Sequence, residues 1–440
     1  MDAVLLVDHQ PIAPPAGPAG PAGVVVRALL TISGQVPAHR QRTPLAISLV
    51  LDRSGSMSGD RLEAAKAASI SAVERLHPDD VVSVIAFDDQ VDVVAPPAPR
   101  AQHFQLVQQV SDIGSGGSTN LSGGWLRGRQ HMEQALGMLG SLEGSSRRIV
   151  LLTDGHANAG IIDPSTLVEL ARTARAMGIT TTTIGVGEGY DDALLRSMAD
   201  AGGGNSWYVE RPDQAQDVLA EEMGNLLSVS AQGLSVTLTL QDSVAMLATH
   251  SSWPATSVAN TFTFDLGDLY ASEPKPVLVE LFVPADRLDA LASSGAAIAT
   301  LVVQADVLLD GGGVEHRSMT LGVAASLETQ STLVPEVEHA VLLARAAKAR
   351  EEAARCQRHG DAAGAQEFMM QASSELSSSP LMEDPHMAEA LQSQVRDLNA
   401  LAERYEQRDF SETEAKYQMQ RSYNARRGKR QNDDVLKREP

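Results

Sequence analysis

Residues 45–59 read Leu-Ala-Ile-Ser-Leu-Val-Leu-Asp-Arg-Ser-Gly-Ser-Met-Ser-Gly, a hydrophobic run followed by a short polar loop. The run is typical of a buried strand. The loop places Asp52, Ser54 and Ser56 in an Asp-x-Ser-x-Ser array, with an oxygen-bearing side chain at each alternate position. Such side chains on a tight loop can form half of a site for a hard cation, which prefers oxygen ligands. The sequence therefore predicts a strand that ends at a candidate metal site.

The other half of the candidate site lies downstream. Thr119 occurs in Gly-Gly-Ser-Thr-Asn-Leu at residues 116–121, and Asp154 occurs in Ile-Val-Leu-Leu-Thr-Asp-Gly at residues 149–155. Ligands of open parallel α/β sheets bind at the carboxyl ends of the strands, where the strand order reverses. We expect Asp52 and Asp154 at that edge because each follows a predicted strand. The glycine-rich loop is flexible enough to bring the Thr119 hydroxyl to the same point.

All five candidate ligands offer oxygen, and none is a histidine or a cysteine. This set favours Mg²⁺, with Mn²⁺ and Ca²⁺ as further candidates, over Zn²⁺ or Cu²⁺. The Asp-x-Ser-x-Ser array by itself is also compatible with an ordinary serine-rich turn after a strand. The ordered appearance of Thr119 and Asp154 at the spacing of one domain favours the metal site.

Taken together, these motifs resemble the metal-ion-dependent adhesion site of von Willebrand factor A (VWA) domains. The resemblance covers residues 40–228 and includes the glycine-rich approach to the last strand at residues 201–208. It implies a doubly wound, mostly parallel, Rossmann-like α/β domain that binds a partner and does not catalyse a reaction. Outside that span the chain has a general likeness to bacterial proteins that carry such a domain beside a β-rich segment.

The resemblance also implies a role for each ligand. Ser54, Ser56 and Thr119 would contact the ion directly or nearly so, and Asp52 and Asp154 would act partly through water. An exposed Asp or Glu of a protein partner would take the open coordination position. The ion would thus let an acidic protein accept an acidic group at one point.

The composition limits the classes of function. The chain has 440 residues, which suggests two or three domains. Its 35 Lys and Arg residues against 56 Asp and Glu residues give a net charge of −21, which argues against a nucleic acid or an anionic membrane as the main partner. Cys356 is the only cysteine, which favours a reducing compartment. Because the sequence has no apolar run long enough for a signal peptide or a membrane span, we expect a cytoplasmic protein.

Strand-like and helix-like segments alternate between residues 45 and 227, which predicts a mostly parallel sheet covered by helices on both faces. After residue 233, strand-like runs follow one another without a long helix, which predicts an antiparallel β-sandwich. An early strand at residues 24–33 has no obvious place in the parallel sheet. We expect it to pair into the sandwich, so that the α/β domain is inserted between two sandwich segments.

From residue 334 onward the apolar residues follow the 3.6-residue period of helices. Two or three helices are expected, with breaks near Gly360 and at residues 377–380, in a hairpin or small bundle. The last twenty residues carry seven basic and three acidic side chains and are expected to be disordered. These patterns divide the chain into an N-terminal segment (1–39), the VWA domain (40–228), the β-sandwich (229–330), the helical segment (331–424) and the basic tail (425–440).

The sequence is compatible with three functions. The leading one is divalent-metal-dependent protein–protein binding. The second is an adaptor or scaffold for an AAA+ ATPase, as such domains serve in chelatase-type and MoxR-type systems, with the C-terminal helices as the docking part. The third, an enzyme, is disfavoured because no general base is evident and no Gly-x-Ser-x-Gly nucleophile elbow is present. The glycines at residues 185–189 also lack the spacing of a nucleotide-binding loop.

Overall fold

The structure, a computed structural model, contains three β-sheets, helices that flank them and a group of C-terminal helices. The N-terminal linker that the sequence predicts lies mostly outside the described residues, as does most of the predicted basic tail. The described ranges are 1–12, 23–35, 45–139, 145–154, 157–187, 190–209, 211–271, 273–294, 297–309, 313–324, 333–407 and 410–429.

The chain begins with two antiparallel strands and then enters the α/β domain, where strands and helices alternate as the hydrophobic runs predict. The strands of that domain are short, and every residue of β3, β4 and β7 is buried. The elements are β1 (Asp2–Ile12), β2 (Gly23–Ser33), β3 (Leu45–Asp52), α1 (Asp60–Arg75), β4 (Val81–Phe87), β5 (Val91–Pro99), α2 (Leu106–Ser111), α3 (Leu121–Leu139), β6 (Ser146–Thr153), α4 (Pro164–Ala176), β7 (Ile179–Val186), α5 (Asp192–Ala201), β8 (Gly203–Val209) and α6 (Ala215–Leu227).

Strands β3 to β8 form one sheet with the order β5-β4-β3-β6-β7-β8. Only β5 runs antiparallel among the described strands of this sheet, and it lies at the edge. One hydrophobic cluster packs α1, α2 and α6 against one face of the sheet, and a second packs α3, α4 and α5 against the other. The predicted doubly wound, mostly parallel α/β domain is confirmed. Strand order reverses between β3 and β6, so a crevice is expected at their carboxyl ends.

The structure also contains the predicted β-sandwich. Its two antiparallel sheets have the orders β1-β2-β13-β10 and β11-β12-β9-β14-β15, and a single cluster of buried Val, Leu and Ile side chains fills the space between them. The elements are β9 (Val229–Leu240), β10 (Ala245–Thr249), β11 (Ala255–Val258), β12 (Thr261–Tyr270), β13 (Lys275–Pro284), α7 (Ala285–Ser294), β14 (Ala297–Leu308) and β15 (Val314–Ala324).

Strand β2 pairs with β13 along its full length, so the pairing expected for residues 24–33 is present. The structure adds β1, which pairs with β2 and was not expected as a strand. Because β1 and β2 precede the α/β domain and the other sandwich strands follow it, the α/β domain is inserted into the sandwich in sequence. Both of its ends therefore connect to the same neighbouring body.

The C-terminal region is helical, as predicted, and breaks near Gly360 and before Pro380. Among the described residues it has four α-helices, which exceeds the expected two or three. They are α8 (Pro335–Arg358), α9 (Ala362–Ser377), α10 (Pro385–Glu406) and α11 (Glu412–Arg426). None of the helices in the described ranges is long and apolar enough to span a membrane.

The start of the predicted basic tail differs from the expectation. Helix α11 runs to Arg426, and both Arg427 and Lys429 are buried. Both bind partners that are distant in the sequence, since Arg427 pairs with the carboxylate of Asp200 and Lys429 donates to the amide oxygen of Asn205. A local charge pattern in the sequence cannot identify partners that are distant along the chain. Residues 430–440 lie outside the described part of the chain.

Candidate metal-binding site

The floor of the site is built by two neighbouring parallel strands. Strands β3 and β6 pair in a register that sets Leu51 opposite Leu152, so their next residues, Asp52 and Thr153, lie side by side at the carboxyl edge of the sheet. The Thr153 hydroxyl donates to Asp52 Oδ2 at 2.5 Å. Asp154 follows Thr153 and is buried as well. The two candidate carboxylates thus reach the same edge, as predicted from the strand ends.

The loop after β3 is fixed from both ends. Asp52 Oδ1 accepts a hydrogen bond of 2.8 Å from the Ser54 backbone N–H, which turns the chain back over the strand end. Met57 closes the single turn of 3₁₀-helix and has no exposed surface, so it anchors the loop in the core. Gly59 adopts a φ of 80°, a conformation that favours glycine, and α1 starts at the next residue. The loop is therefore held in one conformation.

The glycine-rich loop before α3 packs directly on the first loop. The Gly55 N–H donates to Gly117 O at 2.9 Å, and the Gly116 N–H donates to Arg53 O at 2.7 Å. A Cβ atom on Gly116 would lie 1.7 Å from Asp88 Oδ2, so any other residue here would displace the Asp88 side chain. The glycines of this segment therefore serve close packing between two loops in addition to flexibility.

Thr119 is positioned by the segment after β6. Its N–H donates to Asn158 Oδ1 at 2.7 Å, and its carbonyl oxygen accepts from the N–H groups of Asn158 and Ala159 at 3.1 and 3.2 Å. The Thr119 side chain is buried. Gly155, the last residue of the quoted Asp154 motif, lies outside the described residues. The structure thus brings the loops of all five candidates, Asp52, Ser54, Ser56, Thr119 and Asp154, to one edge of the sheet.

The oxygen atoms have spacings that suit a small octahedral ion. Ser54 Oγ and Ser56 Oγ lie 3.1 Å apart, and the Ser56 hydroxyl donates to Asp154 Oδ1 at 2.8 Å. Adjacent ligands of an octahedral Mg²⁺ ion are separated by about 2.9 Å, because each lies at about 2.0–2.1 Å from the ion. The donor set is also hydroxyl and carboxylate oxygen throughout. Both the chemistry and the spacing of these residues fit a divalent ion such as Mg²⁺.

The electrostatic environment of the Asp52 carboxyl also favours a bound cation. Burial raises the pKa of its carboxyl to about 6, although hydrogen bonds from Thr153 and Ser54 oppose the shift, and the nearby charge of Asp154 adds to it. A carboxyl with a raised pKa is one whose charge lacks enough compensation in its surroundings. A cation beside it would supply that compensation and favour the ionised form.

Two arginines near the site were not identified from the sequence. Arg53 binds Asp88 at 3.1 Å and Asp92 at 2.7 Å, and the pKa of the Asp88 carboxyl is lowered because the Gln90 N–H and Arg53 outweigh the effect of burial. Arg61 binds Asp154 Oδ2 at 2.8 Å.

Thr153 and Asn158 were also missed as supporting residues. Thr153 could have been found from its place directly before Asp154, because the last residue of a parallel strand lies beside the last residue of its neighbour. No local signal marks Asn158 or Arg61, since their contacts join loops that are 39 and 93 residues apart.

Comparison with known proteins agrees with the fold of the α/β domain. Residues 46–221 match the family model described as the von Willebrand factor type A domain, so the α/β domain is a VWA domain. A solved von Willebrand factor type A protein from Catenulispora acidiphila covers 91% of this chain and 96% of its own length at a TM-score of 0.60 and 17% identity. At that identity the likeness concerns the fold, and it extends over the sandwich and the helices.

Two curated relatives match the α/β domain. The protein sll0103 of Synechocystis sp. is 31% identical over 186 residues, which are 42% of this chain and 42% of the relative. Inter-alpha-trypsin inhibitor heavy chain H3 of Bos taurus is 31% identical over 161 residues, which are 36% of this chain and 18% of the relative. The chain thus spans less than half the length of these relatives.

Proposed function

We propose that this protein binds another protein through a divalent ion held by Asp52, Ser54, Ser56, Thr119 and Asp154. The observation that carries the proposal is the convergence of these oxygen-bearing residues on the switch point of the sheet, where Ser56 Oγ lies 3.1 Å from Ser54 Oγ and 2.8 Å from Asp154 Oδ1. The inhibitor heavy chain that shares the domain supports a role in protein association, because its name describes one chain of an inhibitor.

The chain's own residues have separate tasks in this proposal. The hydroxyls of Ser54, Ser56 and Thr119 supply neutral oxygen ligands, while Asp52 and Asp154 orient those hydroxyls and the waters around them. When bound, the ion supplies a positive centre with an open position for a carboxylate oxygen of the partner. Mg²⁺ is the proposed ion, and Mn²⁺ and Ca²⁺ take similar oxygen ligands.

We also propose that the site binds without turnover. The hydrogen bonds that Asp52 accepts from Ser54 and Thr153, and those that Asp154 accepts from Ser56 and Arg61, orient both carboxylates. Each oxygen keeps a lone pair for the ion or for one of its waters. Binding without turnover is supported by the sequence, which contains no Gly-x-Ser-x-Gly nucleophile elbow. The single cysteine further supports our proposal of a reducing, cytoplasmic setting.

The test is a pull-down from native lysate with the full chain in Mg²⁺ and in EDTA, beside Thr119→Val. This substitution removes one ligand oxygen and keeps the side-chain shape, and Thr173→Val on the exposed face of α4 is the matched control. We expect one set of proteins to be retained by the wild type and by Thr173→Val in Mg²⁺ only. Circular dichroism verifies that each variant folds.

Equal retention of the same proteins in Mg²⁺, in EDTA and by Thr119→Val would contradict the proposal. An AAA+ ATPase within the metal-dependent set would assign the partner to the alternative class, in which the protein acts as an adaptor. That outcome keeps the role of the metal site and changes only the identity of the partner.

A further inference from the structure

Arg61 is a cation in contact with two of the candidate ligand residues. One of its terminal nitrogens, Nη1, donates to Asp154 Oδ2 at 2.8 Å and to the Ser56 carbonyl oxygen at 3.4 Å. The Asp154 side chain has no exposed surface, whereas the Arg61 side chain is 36% exposed. The guanidinium therefore lies at the rim of the site, between a buried ligand carboxylate and solvent.

The fold makes room for this guanidinium. Gly187, in the segment after β7, has a φ of 84°, and a Cβ atom there would lie 2.8 Å from Arg61 Nε and 2.9 Å from its Cζ. A side chain at position 187 would displace the arginine. Because Gly187 has no side chain, its backbone forms one wall of the space that the Arg61 guanidinium occupies.

Helix stability does not explain a cation at this position. Arg61 is the second residue of α1, where the backbone dipole favours negative charge and disfavours positive charge. The neighbouring Arg53 contacts Asp88 and Asp92, so its charge is compensated away from the ligands. The charge of Arg61 is instead directed at the ligand set itself.

The sum of the charges at the site indicates how Arg61 affects the binding of the ion and of an anionic group. The two carboxylates, Asp52 and Asp154, balance one divalent ion. With Arg61 present, the loaded site carries one excess positive charge, which one additional anion would balance. Because like charges repel over a few ångströms and opposite charges attract, the arginine disfavours the ion and favours an anionic group beside it.

We propose that Arg61 is a positioning residue that sets the specificity of the site for a carboxylate, at the expense of affinity for the ion. This inference rests on the proposed function, because it concerns the same site. Arg61 weakens binding of the divalent ion by charge repulsion. It strengthens binding of a partner carboxylate because the guanidinium lies at the exposed rim of the ligand residues, where it can donate to an oxygen of that carboxylate.

The test measures Mg²⁺ binding by isothermal titration calorimetry with the full chain and no protein partner. Arg61→Gln removes the charge and retains a hydrogen-bond donor for Asp154, and Arg61→Lys retains the charge. Arg75→Gln removes an equal charge from the exposed far end of the same helix. We expect Arg61→Gln to bind Mg²⁺ about three- to tenfold more tightly. Arg61→Lys and Arg75→Gln are expected to remain within about twofold of the wild type.

Repeating the titrations with acetate as the carboxylate probe gives the second readout. Acetate that binds beside the ion must tighten Mg²⁺ binding by the same factor that Mg²⁺ tightens acetate binding. We expect this coupling in the wild type, in Arg61→Lys and in Arg75→Gln. In Arg61→Gln we expect the factor by which acetate tightens Mg²⁺ binding to be at least about threefold smaller. A residue with a merely structural role would weaken both affinities together.

Two results would overturn the inference. If Arg61→Gln binds Mg²⁺ no more tightly than the wild type and retains the acetate coupling, Arg61 has no such role while the metal site stands. If the wild type itself binds no Mg²⁺, the proposed function and the role of Arg61 fail together.

Discussion

Lys275 is a buried lysine that lies outside the candidate site. Its side chain is buried, with Nζ 4.8 Å from the centre of the Trp253 ring and 5.5 Å from that of Tyr270. Nζ also donates to the Leu266 carbonyl oxygen. Burial lowers the pKa of Lys275 to about 7, although the nearby charge of Glu273 opposes the shift.

The pKa of Lys275 predicts a pH dependence of stability. Between about pH 7 and pH 10.5 the unfolded chain binds a proton at this lysine and the folded chain does not, so the free energy of unfolding rises with pH in that window. Lys275→Met should remove this contribution and flatten the curve. Melting temperatures of both proteins at several pH values measure the difference. Parallel curves for the two proteins would show that the lysine keeps its ordinary pKa.

At the scale of elements, helix α6 is tied to the sheet by one buried carboxylate. Glu222 has no exposed surface and accepts hydrogen bonds from Thr182 and Asn205 at 2.7 Å and from Trp207 at 3.0 Å. Arg148 on β6 lies 3.5 Å away and also binds Asp268 of the sandwich. The positive charge of Arg148 and these donors outweigh burial and lower the pKa of Glu222. The network therefore links α6, the parallel sheet and the sandwich.

Removing this charge should destabilise the fold. Glu222→Gln leaves Arg148 with less compensation in the protein interior, and breaking a buried ion pair typically costs about 3–5 kcal/mol. Asp217→Asn is the control, because Asp217 is an exposed residue of the same helix. Unfolding in urea should give a much lower free energy for Glu222→Gln than for Asp217→Asn. Equal values for the two variants would mean that the buried network does not hold α6.

The elements of this fold differ in how far the sequence predicts them. The strands β3 and β6 and their ligands were predicted because a hydrophobic run and a polar strand end are local features. Helix α2 and strand β1 were not recognised, since both have short or weak apolar patterns. At the site, Asp52 and Asp154 were predicted from the strand ends, and the metal coordination remains a prediction. Arg61 was missed because its contact with Asp154 depends on the folding of two distant loops.

At the scale of the whole molecule, helix α11 joins the three parts of the chain. Lys416 donates to the Tyr190 carbonyl oxygen and Gln420 to that of Ser206, both in the VWA domain. Arg426 donates to His250 O in the sandwich, and Arg421 pairs with Asp397 on α10. These buried contacts are polar, so the helix has no apolar stripe that a sequence pattern could detect. The sequence therefore identified α11 as helical without revealing that it joins the domains.

The C-terminal helices also contact the start of α5 in the VWA domain. Lys416 donates to the Tyr190 carbonyl oxygen, and Arg358 at the end of α8 binds Asp192, the first residue of α5. The start of α5 is thus supported from outside the VWA domain.

Anomalous diffraction from crystals grown with Mn²⁺ tests whether Ser54, Ser56 and Thr119 hold a divalent ion. We expect one strong anomalous peak at the carboxyl ends of β3 and β6, at about 2.1–2.3 Å from hydroxyl oxygens of these residues. The peak should be lost in Thr119→Val crystals grown in the same way. An anomalous map with no peak at this edge, at a Mn²⁺ concentration that labels exposed carboxylates elsewhere, would contradict the account.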